Sequence, residues 1–327
     1  MTRFLTIILA LCFQMAIAHA GEVPGSWRSE WSKTDFTKAA VEYGEIFSGG
    51  PPKDGIPAID EPTFGLVSEV SDALQPTEPV LSVAIEGDAR AYPLRILIWH
   101  EIVNDEVGGV PVAITYCPLC NSGVVFERTI AGAVTTFGTT GKLRNSDLVM
   151  YDRATESWWQ QFEGRAIIGE RLGTKLERVP ARLESVRNFV ERHPQGKILV
   201  PSNQRWRDYG RNPYAGYDSS NVPFLYGGTY DGPGRALMRV VAVGDRAWSL
   251  DLVRARGTII SGDLVINWTA GQTSALDTPQ IAGGRDVGTV IVQRRDPGGE
   301  LVDVAYDVPF AFAFRAFHPE AVIEHDQ

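Results

Sequence analysis

Val110-Pro-Val-Ala-Ile-Thr-Tyr-Cys117-Pro-Leu-Cys120-Asn-Ser-Gly-Val-Val-Phe126 decides how the rest of this chain is read. Gly108-Gly109 turns the chain into a β-branched run, Val110 to Tyr116, which leads straight into Cys117, and Gly123 to Phe126 is extended again. The stretch is therefore two strands joined by Cys-Pro-Leu-Cys. The same pattern spreads upstream. Leu81, Val83 and Ile85 alternate, Gly87-Asp88 reads as a turn, and Ala89 to Leu94 follow. Leu94, Ile96 and Ile98 alternate once more and deliver His100 at the end of an expected strand. Downstream, Ala131-Gly132 turns into a strand ending at Phe137, and Leu148 to Tyr151 and Trp158 to Phe162 are further strands. One helix is expected over residues 183–192, where Leu183, Val186, Phe189 and Val190 share a face before His193-Pro194 ends it. The expected class is mainly β, a β-rich α+β fold of antiparallel sheets with few short helices.

The chain has 327 residues, 44% of them hydrophobic, with 33 Gly, 20 Pro and three Cys. That length suits two domains or one large one, and a core that needs no disulfide staples. The composition excludes disordered, collagen-like and cysteine-knot classes. Residues 1–20 read as a signal peptide: Arg3 is the positive flank, Phe4 to Ala18 is apolar apart from Thr6 and Gln14, and Ala18-His19-Ala20 is the small-x-small cleavage pattern. An uncleaved anchor is the alternative, but the uncharged run is short for a span of about 20 residues. The expected mature protein is exported, periplasmic or extracellular, with no integral membrane span. Loss of Arg3 would take the formal charge from −9 to −10, which disfavours nucleic acid and anionic lipid as partners.

The mature chain divides into an N-terminal arm (21–75), a first β-rich half (76–200), a Tyr/Gly/Pro-rich loop (201–236) and a second β-rich half (237–327). The loop carries Tyr209, Tyr214, Tyr217, Tyr226 and Tyr230 and keeps no period. The second half echoes the first. Gly87-Asp-Ala-Arg-Ala-Tyr-Pro-Leu94 resembles Gly244-Asp-Arg-Ala-Trp-Ser-Leu250 with one residue deleted, and His193-Pro194 matches His318-Pro319. A degenerate repeat would have lost its cysteines, leaving the chemistry to the first half.

With Cys12 in the leader, mature thiol chemistry reduces to Cys117 and Cys120. A Cys-x-x-Cys pair has three readings. As a metal knuckle it offers two thiolates to zinc or copper, which need further ligands. His100 is the nearest histidine in sequence and Met150 a soft candidate, with copper slightly preferred for so sparse and soft a set. As a redox dithiol it lacks the helix that would follow it in a thioredoxin-like site. As a structural disulfide it would close too small a loop to add more than about 2 kcal/mol. Asn145, Asp147 and Arg153 either form turns or line a polar, cofactor-binding pocket beside the cysteines. No phosphate loop, zincin or serine-hydrolase motif is present. The leading function is metal binding by an exported protein, as a metal-dependent oxidoreductase or a metal carrier. A metal-free thiol-disulfide oxidoreductase and a non-catalytic binding module, with an unidentified protein partner, are the alternatives.

His100-Glu-Ile-Val-Asn-Asp, Thr115-Tyr-Cys-Pro-Leu-Cys120, Phe137-Gly, Asn145-Ser-Asp-Leu, Met150-Tyr-Asp-Arg, Thr155-Glu-Ser with Trp159 and Gln161, and Arg211-Asn-Pro-Tyr-Ala-Gly-Tyr217 together resemble a prokaryotic family of unknown function, number 3179. The resemblance runs from about residue 60 onward. It implies no activity, and marks His100, Cys117 and Cys120 as the family's most chemically suggestive residues.

Overall fold

The computed structural model describes residues 21–201 and 207–326. The expected leader lies outside the described residues. Strand accounts for 38% of the structure and helix for 17%, and the larger sheets take a five-bladed, propeller-like arrangement. Among the described residues no helix is long and apolar enough to cross a membrane.

Tight turns set the hairpins. Pro79–Ile85 pairs antiparallel with Asp88–Pro93 through Glu86-Gly87, both at positive φ, one residue earlier than the expected turn. Ile102–Val107 pairs with Val110–Cys117 through Gly108-Gly109, at φ 55° and 81°. Such two-residue turns match strand twist. A Cβ on Gly108 would lie 2.3 Å from the Ile85 carbonyl oxygen, so only glycine fits. Ser122–Glu127 completes the cysteine hairpin. Phe137–Arg144 and Asp147–Asp152 form the next, joined to Trp158–Gln160.

Two expected elements change type. Leu94–His100 is a helix, not a strand. Leu97 is buried together with Leu94, Ile96 and Ile98, so the element is apolar on nearly every side and its alternation carries no information about period. In the expected helix 183–192, only Val186–Arg192 is helical, capped by Ser185. Arg182–Ser185 is a strand on the Pro79 strand, and Leu183 is buried from there.

The N-terminal arm is packed, not loose. Trp27, Trp31 and Phe36 gather round Trp158, with ring centroids 4.9, 5.1 and 5.6 Å away. Ile46–Ser48 adds an edge strand to Phe137–Arg144.

The echoed segments occupy the same place in two units that share an order of elements, the first with further strands inserted before its return helix. Val80 pairs with Pro93 and Val240 with Ser249 at the bases of their hairpins. Helices Leu94–His100 and Leu250–Arg256 follow, then hairpins in which Ile102 pairs with Thr115 and Thr258 with Asn267. Each unit later returns through a helix, Val186–Arg192 or Ala311–Phe317, to a strand parallel to its first hairpin. One large apolar core runs through both.

Candidate metal centre

Cys117 is the last residue of its strand and pairs with Ser122. Asn121, at φ 51°, closes the turn between them by donating its N–H to the Pro118 carbonyl at 3.1 Å. A second tight turn meets it. Asn145 and Ser146, at φ 54° and 64°, link the Phe137 and Asp147 strands. A non-glycine residue held there carries about 1–2 kcal/mol of strain. The turn aims the Ser146 carbonyl at both thiols, 3.7 Å from Cys117 Sγ and 3.5 Å from Cys120 Sγ, and brings Asp147 beside them.

Both sulfurs and an Asp147 oxygen lie within 4.8 Å of one another. None of the three residues is more than 1% exposed. The thiols are free. Asp147 Oδ2 accepts from Gln160 Nε2 at 2.7 Å and from the Phe162 N–H at 2.9 Å, while Oδ1 is buried without a hydrogen-bond partner.

The electrostatics are those of an acid-rich interior. Burial pushes the Asp147 carboxyl up from 3.8 to about 7, against the pull of Gln160, the Phe162 N–H and the thiols. Glu101 is pushed up to about 8, by burial and then by Asp147. Burial also raises both thiols, Cys120 well above the ordinary range. Burial disfavours the charged form of each group.

His100 stands apart from this group. At the end of a helix its ring turns elsewhere: Nδ1 donates to the Pro57 carbonyl at 2.7 Å, and Nε2 lies 2.7 Å from the Tyr209 hydroxyl. A carbonyl only accepts, so the neutral ring accepts from Tyr209 at Nε2. Met150 shares the apolar core with the cysteines and pairs with Trp159 and Thr139. Of the three expected pocket residues, Asp147 reaches the thiols. Asn145 shapes the turn, and Arg153, beyond the far end of the strand, bonds Asp60 at 2.6 Å.

Glu101 was not anticipated, although it follows His100 directly in sequence. Nor was the support around the thiols. Gln161 Nε2 donates to Thr115 Oγ1 at 2.8 Å. The tyrosine-rich loop covers the turn: Tyr217 donates to the Leu119 carbonyl at 3.1 Å, and Ser146 Oγ donates to the Phe224 carbonyl. The Phe310 N–H closes on the Cys120 carbonyl at 2.8 Å.

A family model described as "Protein of unknown function (DUF3179)" matches residues 53–321. The chain belongs to that family. No curated protein and no solved structure matches it. The match spans the cysteine turn, the Asp147 strand and the covering loop, so the whole candidate centre belongs to the DUF3179 region.

Proposed function

We propose that this DUF3179 protein binds one transition-metal ion through Cys117, Cys120 and Asp147, and that the ion works in an exported protein. The observation that carries the reading is the buried Asp147 Oδ1, unpartnered and grouped with two free thiols. A divalent ion would draw all three ligands into their ionised forms and supply the charge that the interior lacks. The carboxylate moves the balance from copper to zinc, which accepts mixed sulfur and oxygen ligands, whereas copper(I) favours sulfur. Three protein ligands leave a fourth position open, the pattern of reactive zinc sites.

Thiol-disulfide exchange is less well supported. It needs an accessible thiolate, and both thiols here are buried with raised pKa. The test is elemental analysis of tag-free protein purified without chelators. One equivalent of metal is expected in the wild type and in His100→Ala. Loss is expected in Cys117→Ser, Cys120→Ser and Asp147→Asn. A metal-free wild type with a cycling Cys117–Cys120 disulfide would replace this reading with the redox one.

A further inference from the structure

We infer that the main-chain carbonyl of Ser146 is the fourth ligand of the metal centre and closes it. The inference rests on the metal reading and deepens it. Three side chains leave one position open, and the chain itself fills that position, so the ion is held rather than offered to a substrate. Around a tetrahedral ion with sulfur at ~2.3 Å and oxygen at ~2.1 Å, a sulfur and an oxygen stand ~3.6 Å apart and two sulfurs ~3.8 Å apart. The Ser146 carbonyl oxygen lies 3.7 Å from Cys117 Sγ and 3.5 Å from Cys120 Sγ. Both sulfurs and an Asp147 oxygen lie within 4.8 Å of one another. Four donors are therefore gathered at about the spacing of one coordination shell.

While the thiols keep their protons, the carbonyl accepts from both of them. That arrangement ends when an ion displaces the protons, because a carbonyl lone pair would then face two thiolates. The carbonyl must ligate the ion or turn away. Its backbone prevents turning. Asn145 and Ser146 form a two-residue turn, at φ 54° and 64°, closed by the pairing of Arg144 with Asp147. Ser146 is fully buried, and its Oγ donates to the Phe224 carbonyl. Rotating the Ser146 carbonyl would rotate the peptide that leads into Asp147, and so would break the hairpin and displace a ligand. The two strained, non-glycine turn residues thus present a carbonyl and, from the next residue, a carboxylate to one point. The Ser146 hydroxyl is already engaged with Phe224 and takes no part.

The experiment uses zinc-loaded wild type and Ser146→Gly, with metal content, zinc X-ray absorption and a crystal structure in which zinc is located by its anomalous scattering. Glycine suits the positive φ and keeps the carbonyl while removing the hydroxyl, so the variant is expected to fold. Both proteins should hold one zinc, with two sulfurs at ~2.3 Å and two oxygens at ~2.0–2.2 Å. One of those oxygens should be the Ser146 carbonyl (residue 146 in the variant), with no water on the ion. A solvent molecule in the fourth place, with the carbonyl beyond bonding distance, would overturn the inference. So would loss of zinc from Ser146→Gly that keeps a wild-type circular dichroism spectrum, which would make the hydroxyl the ligand. A wild type that takes up no zinc would overturn the metal reading itself, before any fourth ligand is assigned.

Discussion

The two hairpin–helix units bury charge in opposite ways. Against the second, Asp218 of the tyrosine-rich loop accepts from Arg239 Nη2 at 3.3 Å, Ser274 Oγ at 2.5 Å and Arg285 Nη1 at 2.8 Å. Burial pushes Asp218 up, but these partners outweigh it and hold the carboxyl below its ordinary value. In the first, burial wins and Asp147 rises to about 7. The connections differ to match. Where the first unit turns through 118–121, the second runs through 270–288, which supplies Ser274 and Arg285. Thr269 stands where the first unit has Cys117, and Gly257, at φ 68°, where it has Glu101, at φ 59°. The second unit supplies the cations that Asp218 pairs with. The first is left short of a cation by its own protein.

The largest effect should come from breaking those pairs. Asp218→Asn leaves Arg239 buried without its counter-charge and should cost about 3–5 kcal/mol in denaturant unfolding. An unchanged urea midpoint would contradict the contrast. Next comes pH. In metal-free protein, Asp147 and Glu101 hold protons in the folded state that the unfolded chain releases near 3.8 and 4.5. Their contribution is therefore full below those values and lost as pH rises through about 7 and about 8. Apoprotein stability should fall by a few kcal/mol across that window. Saturating zinc should oppose the loss, because the ion binds ionised ligands. Urea midpoints at several pH values, with and without chelator, measure both. The smallest effect is a matched pair. Gly257→Ala should cost about 1 kcal/mol, and Glu101→Gly should raise apoprotein stability by a similar amount. Equal responses at the two positions would remove the distinction between them.

The strands around Cys117 were legible because β-branched runs and glycine turns are local signals. The echo between Arg90-Ala-Tyr and Arg246-Ala-Trp was legible too, and both segments start units of the same order. The position of His100 follows from its element. A strand end would have set it beside the cysteine strand, whereas the last turn of a helix rotates the ring toward Pro57 and Tyr209. Asp147 was visible as a polar residue near the site, but its place beside Cys120 depends on two turns meeting in space. No periodicity encodes that. Glu101 left only a faint mark, a charged residue just after a buried apolar run, and it stands out by comparison with Gly257.

The cover over the centre has a consequence for timing. All three donors lie between residues 117 and 147, while Tyr217, Phe224 and Phe310, which close over them, come much later in the chain. During synthesis the donors emerge first. On the metal reading, an ion captured then would be sealed in when the later residues arrive. After that, exchange would run at the pace of local opening of the covering loop rather than of ligand dissociation. Protein that folded empty would be shut by the same cover, so on that reading its metal content would record the conditions under which it was made.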